Sequence, residues 1–240
     1  MNELDAPTPP SCAPAEDDGA LAREAVRLYR RYAIEVVEAL RFCPYAERCR
    51  LEGRTREMVS LDDALALERV LPLVHEAARD PQVEIGLLLF PRLRIERLAF
   101  ARFVEQLRRA HQDEPGGLVM AMEGFHPDAA PDLSSADRLV PFVRRTPDPT
   151  IQLVRHEALL RVRRAGDHGT AFFDPSRMSL EALLAAPAPK PLHRRIAEAN
   201  LETTRARTVE AIERIYDDIR RDRDQSYAKL MKGSGEPRPG

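Results

Sequence analysis

The stretch Met122-Glu123-Gly124-Phe125-His126-Pro127, then a polar loop, then Arg144-Arg145-Thr146-Pro147-Asp148-Pro149-Thr150-Ile151-Gln152-Leu153-Val154-Arg155, decides how this chain is read. A hydrophobic strand ends at a histidine. A helix is expected to begin just past two arginines. In an α/β fold, strand ends and helix N-termini converge on one edge of the sheet, which is where ligands sit.

Upstream of it, Val83 to Phe90 is an apolar run bounded by Pro81 and Pro91. A run apolar on both faces predicts a buried central strand. Leu118 to Met122 predicts a second, delivering Phe125 and His126 to its end, and Arg56 to Ser60 a short third. Between them lie helical patterns: Ser60 as a cap followed by Leu67, Val70, Leu71 and Val74, with Pro72 interrupting, then Phe100, Phe103, Val104 and Leu107. The first helix carries Val26, Tyr29, Ala33, Val36, Val37 and Leu40 on one stripe and stops by Cys43, ahead of Pro44. Pro44 can open a short helix with Cys43 near its N-cap. Downstream, Ile151, Val154, Leu159 and Val162 predict a helix from Thr150 to about Arg164. Thr170 to Phe173 reads as a short edge strand, and Leu180, Leu183 and Leu184 as a short helix. Leu192 to about Arg223 reads as a long helix whose stripe, Val209, Ile212, Ile215, Tyr216 and Ile219, docks on the domain or on a partner.

The fold class that follows is α/β, or α+β in a split arrangement: a small, mostly parallel sheet of three to four strands packed by helices, with additional C-terminal helices. The expected organisation is a disordered tail over 1–19, an α/β domain over 20–186, a helical extension over 187–231 and a second tail over 232–240.

The composition is that of a globular protein, with 43% hydrophobic and 32% charged residues and a formal net charge of −2. That balance, and the lack of a basic stripe with interleaved aromatics, argues against nucleic acid. No run of about 18 apolar residues predicts a membrane span. Three cysteines, Cys12, Cys43 and Cys49, and no apolar leader predict a cytoplasmic protein with free thiols.

Three segments in order, Phe42-Cys43-Pro44-Tyr45-Ala46, Gly124-Phe125-His126-Pro127 and Arg145-Thr146-Pro147-Asp148-Pro149-Thr150-Ile151-Gln152-Leu153-Val154-Arg155, resemble the bacterial domain-of-unknown-function family 1415. The resemblance covers roughly residues 22–164. Arg144 stands where that family usually has asparagine, Asp148 where it has an aromatic, and Gln152 where it often has histidine. The resemblance implies a site but no established activity.

The candidate chemistry starts from Cys43 and His126. Helix-start amides would stabilise a Cys43 thiolate, making it a nucleophile or redox thiol; the plain alternative is a small buried residue closing the first helix. His126 is a candidate acid–base partner, a metal ligand with Asp128 and Cys43, or a ring that fixes its turn. No metal-binding spacing supports a metal, and no cofactor is indicated. Arg144, Arg145 and Arg155 are candidates for holding an anion, with Thr150 and Gln152 supplying hydrogen bonds; internal ion pairs are the alternative. The working expectation is an enzyme acting on a small anionic ligand through a Cys43/His126 pair. The alternative is a non-catalytic anion-binding or regulatory module. Partners beyond the ligand are a second copy or a protein met by the C-terminal helix.

Overall fold

A computed structural model describes residues 16–115, 119–167 and 191–233. The expectations for the two outer tails, the edge strand at Thr170 to Phe173 and the helix at Leu180 to Leu184 lie outside those residues, apart from Glu16 to Gly19 and Lys232 to Gly233, which are helical.

The first helix, α1 (Glu16–Tyr32), runs on into a wider π-type turn over Ala33–Glu38. It ends where Arg41 takes a left-handed backbone conformation with φ 56°. The Phe42 amide then donates to the Val37 carbonyl and the Arg41 amide to the Glu38 carbonyl. This pair of bonds closes a helix end, a position that favours glycine. Next come α2 (Ala46–Leu51) and β1 (Thr55–Val59). The helix expected from Ser60 starts later, as α3 (Leu67–Arg79) with Pro72 inside it. The reason is that the Ser60 amide donates to the Leu89 carbonyl and extends the strand ladder. The remaining elements are β2 (Ile85–Leu89), α4 (Arg97–Gln112), β3 (Met120–Phe125), α5 (Ala136–Val143), β4 (Thr150–Arg155), α6 (His156–Asp167), α7 (Leu192–Arg207) and α8 (Val209–Gly233).

The α/β class holds, and the sheet is mixed. Its order is β1-β2-β4-β3. β1 and β2 pair in parallel, but β4 lies between β2 and β3 and pairs antiparallel with both. Three strands therefore share one direction, yet two of the three pairings are antiparallel. The difference from a mostly parallel sheet comes from one segment. Thr150 to Arg155, expected to open a helix, is a strand, and the helix begins at His156. Thr150 is thus not a helix cap. Its neighbours Ile151, Leu153 and Val154 include two β-branched residues, and Ile151 and Leu153 alternate with Gln152 at the period of two that a strand requires.

The sheet divides two apolar clusters. On one face, α3 and α4 pack Val70, Val74, Phe100, Val104 and Leu107 against Leu88, Met122, Ile151 and Leu153. On the other, α1, α5 and α8 pack Tyr29, Tyr32, Leu139, Phe142, Ile212 and Tyr216 over Ile85, Leu87 and Leu89. The stripe on α8 is therefore taken up within the molecule. Asp148, on the β3–β4 side, is 3% exposed and accepts from Arg223 Nε at 2.7 Å and from the Tyr227 hydroxyl at 2.6 Å, which pins α8 down at a second point.

Candidate functional site

The second face does not close completely. Between the sheet, α1, the wide turn, α5 and α7 lies a cavity of about 520 Å³. Its floor is the sheet: Thr55 and Glu57 of β1, Ile85 and Leu87 of β2, Gln152 and Val154 of β4, Glu123 and Phe125 of β3. Gln152 sits in register between Leu87 and Glu123, near the middle of that floor. The walls are Tyr29 and Tyr32 of α1, Ala33, Val37 and Glu38 of the wide turn, Phe42 and Cys43 just past it, Val140 and Val143 of α5 with Arg144 at its end, and Ile196, Ala197 and Asn200 of α7. A volume of several hundred Å³ with mostly apolar surface and few polar groups outside the ion pairs around its edge is the form of a small-molecule site. The π-type turn is on its border, a position such turns often occupy at functional sites.

Cys43 is one of the cavity's few polar groups. The left-handed turn at Arg41 carries it there. Burial pushes its thiol above the ordinary range; the amides of Tyr45 and Ala46, and then the Arg144 guanidinium, act the other way without overcoming it. The helix-start amides expected near Cys43 are present, although α2 itself begins only at Ala46.

His126 lies elsewhere. It is 5% exposed and packs against Phe100 of α4 at 5.9 Å between ring centroids, with the first cluster. Nε2 pairs with the Ile95 carbonyl at 3.0 Å, and Nδ1 accepts the Asp128 amide at 3.1 Å. These bonds assign the proton to Nε2. Both ring nitrogens are committed to backbone, and His126 lines a smaller cavity of about 180 Å³ that does not include Cys43. The structure does not bring Cys43 and His126 together as a catalytic pair. Strand alternation explains this: Phe125 faces the large cavity, so the next residue faces away.

The three arginines also part company. Arg155 is buried, and its guanidinium donates to the carbonyls of Val83, Ala77, Ala78 and Asp80 at 2.6 to 3.3 Å. It caps the C-terminal end of α3, where free carbonyls collect. Arg145 lies over the rings of Tyr216 and Phe142 and beside Glu213 and Asp217 of α8. Only Arg144 borders the cavity, and Glu123 accepts from its Nη1 at 2.8 Å. Thr150 is fully buried, its hydroxyl donating to the Asp148 carbonyl at 2.9 Å. Of the residues singled out from the sequence, Cys43, Arg144 and Gln152 meet at the cavity.

Sequence reasoning missed α5, Tyr29 and Tyr32 as site walls, and Asn200. A signal existed for α5: Ser135 is a capping serine whose side chain accepts from the Arg138 amide at 3.2 Å, with Asp137 in the first turn. The weight given to the surrounding polar loop hid it. Among the described residues, no group of three or more His, Cys, Asp or Glu side chains has the arrangement to hold a metal ion. None of their helices is long and apolar enough to cross a membrane.

Fold and site together define a mixed α/β domain with an internal apolar cavity on one face of its sheet. The chain belongs to the family described as protein of unknown function (DUF1415), whose model matches residues 24–171. Comparison with curated proteins and with solved structures finds no match.

Proposed function

We propose that this protein is a small-molecule binding module whose ligand occupies the cavity between the sheet and α1, α5 and α7. The observation that carries this reading is the cavity itself: about 520 Å³, walled by tyrosines, phenylalanines and branched aliphatic residues, with Cys43, Gln152 and Asn200 placed in the wall. Burying apolar ligand surface there supplies the affinity, and the few polar groups set orientation. The test uses N-phenyl-1-naphthylamine, a neutral fluorophore that brightens in apolar surroundings. It should bind with a single saturable site. Val154→Trp, which fills the floor from a half-buried strand position, should abolish that signal while leaving the far-ultraviolet circular dichroism and the urea midpoint intact. No saturable binding by the unaltered protein would overturn the reading.

A second reading keeps the enzyme: Cys43 reacts covalently with the bound molecule. What favours it is the pair of amides, from Tyr45 and Ala46, that act on the sulfur. In that case the acid–base partner is a group on the ligand or in the cavity, not His126. Intact-mass spectrometry after incubation with cell extract, comparing the unaltered chain with Cys43→Ser, tests it: a Cys43-dependent adduct supports it, and its absence counts against it.

A further inference from the structure

We infer that the ligand is an uncharged, ring-containing molecule carrying an amide or lactam edge, with one donor and one acceptor side by side. The inference rests on the cavity-binding reading above and adds the ligand's chemistry to it.

Charge narrows the ligand first. Four of the carboxylates around the cavity are already matched, and the fifth, Asp137, stands exposed to solvent at its edge. Glu38 accepts two bonds from Arg50, at 2.8 and 2.7 Å. Glu57 accepts two from Arg30, at 2.8 and 3.2 Å. Glu84 is held by Arg54 and Arg161, and Glu123 by Arg144. An anion entering this space would find Arg144 taken by Glu123, Arg30 by Glu57 and Arg50 by Glu38, and the Glu123 carboxylate beside Gln152 would repel it. A cation would find each of these paired carboxylates occupied. Either charge would give up its hydration for little return.

What stays uncommitted narrows it further. The side-chain carboxamide of Gln152, in the floor, has no hydrogen-bond partner among the described residues, nor has that of Asn200 in the wall, although Asn200 is only 8% exposed. A carboxamide open to the cavity offers a ligand both a donor and an acceptor. Two carboxamides bordering one apolar space suit a neutral molecule that presents the same two functions. The rings of Tyr29, Tyr32 and Phe125 supply flat apolar walls for the rest of it.

The experiment is a matched set of probes, 1-naphthamide, 1-naphthoate and N-phenyl-1-naphthylamine, titrated calorimetrically into the full chain at pH 7.5. The first two differ only in the edge. We expect naphthamide to bind at least about tenfold more tightly than naphthoate, because a site shaped for a hydrogen-bonding edge rejects an analogue that leaves its groups unpaired. Gln152→Leu and Asn200→Leu should each reduce that preference to under about threefold, with the far-ultraviolet circular dichroism unchanged. Naphthoate binding as tightly as naphthamide, or a preference that survives both substitutions, would overturn the ligand class while leaving the cavity reading in place. If none of the three binds, the cavity reading itself falls, and this inference with it.

Discussion

Arg144 and Glu123, joined at 2.8 Å, stand in the wall shared by the large cavity and the smaller one beside His126. The guanidinium also lies 5.3 Å over the Phe125 ring. The pair neutralises the one arginine from the sequence motif that faces the ligand space. Converting Glu123 to glutamine releases that charge. Glu123→Gln should raise naphthoate affinity by about tenfold, the size of one charge-assisted contact. Both side chains are partly exposed, so stability should change by less than about 1 kcal/mol in urea unfolding. Unchanged naphthoate binding would mean that Arg144 does not reach the ligand.

The Cys43 thiol should be slow to ionise. In a Cys12→Ser, Cys49→Ser background, its alkylation by iodoacetamide should still be rising at pH 9, because burial pushes the thiol up. Arg144→Met, which removes a group that favours the thiolate, should slow it further. A rate plateau near pH 7 would contradict the burial argument and revive a prepared nucleophile. The sign for stability follows. An acid whose folded pKa is raised keeps its proton longer when folded, so its contribution is complete below the unfolded thiol pKa and is lost as pH rises through the folded one.

Arg155→Met should be the most damaging of these substitutions, by about 3 kcal/mol, because three carbonyls at the end of α3, and that of Val83 ahead of β2, lose their donor in a buried place. Arg155→Lys should recover little, since one ammonium cannot reproduce the planar fork. Chemical denaturation reads this directly, and a loss below about 1 kcal/mol would show that water replaces the guanidinium.

Arg41→Gly should stabilise the fold by about 0.5–1 kcal/mol. The left-handed conformation at φ 56° is strained for arginine and free for glycine. The gain should appear as a higher urea midpoint with an unchanged slope. A lower midpoint would show that the Arg41 side chain contributes contacts outweighing the strain.

His111 gives the acid side of the stability profile. It is 3% exposed, its Nε2 accepts the Met120 amide at 3.3 Å, and the His75 ring lies 5.7 Å away. Burial, and then His75, lowers its pKa below 6.5. The unfolded chain therefore takes up a proton that the folded one resists. Stability is complete above about pH 6.5 and falls as pH drops through the folded value. His111→Leu should flatten the fall between pH 6.5 and 5. An unchanged slope would place the titration elsewhere.

How far the sequence carried the reading can be traced to single residues. β2 was legible because five consecutive buried apolar residues between prolines admit one interpretation. The first helix was legible from its stripe, though not its widened last turn, since a π-type turn leaves no mark in hydrophobic spacing. β4 was misread because Ile151 and Val154 are three apart, a helical interval, while the alternation of Ile151, Gln152 and Leu153 carried the truer signal. That one segment makes the sheet mixed and places Thr150 and Arg155 in the interior, away from a ligand edge. Cys43, Gln152 and Arg144 border the cavity because each sits where a local element ends or a strand crosses the floor. Tyr29 and Asn200 were invisible as site residues, since only the packing of distant helices over the sheet reveals an unfilled space.

The placement of β4 has a consequence for the order in which the molecule is made. Among the described residues β3 has β4 as its one partner in the sheet, and β4 is also what joins it to β2. During synthesis, β1 and β2 can pair early, whereas β3 emerges with no strand to bond to until Arg155 has cleared the ribosome. The floor of the cavity, and the position of Gln152 within it, thus come into being in one late step, and a nascent chain halted before Thr150 holds two unconnected pieces of a sheet.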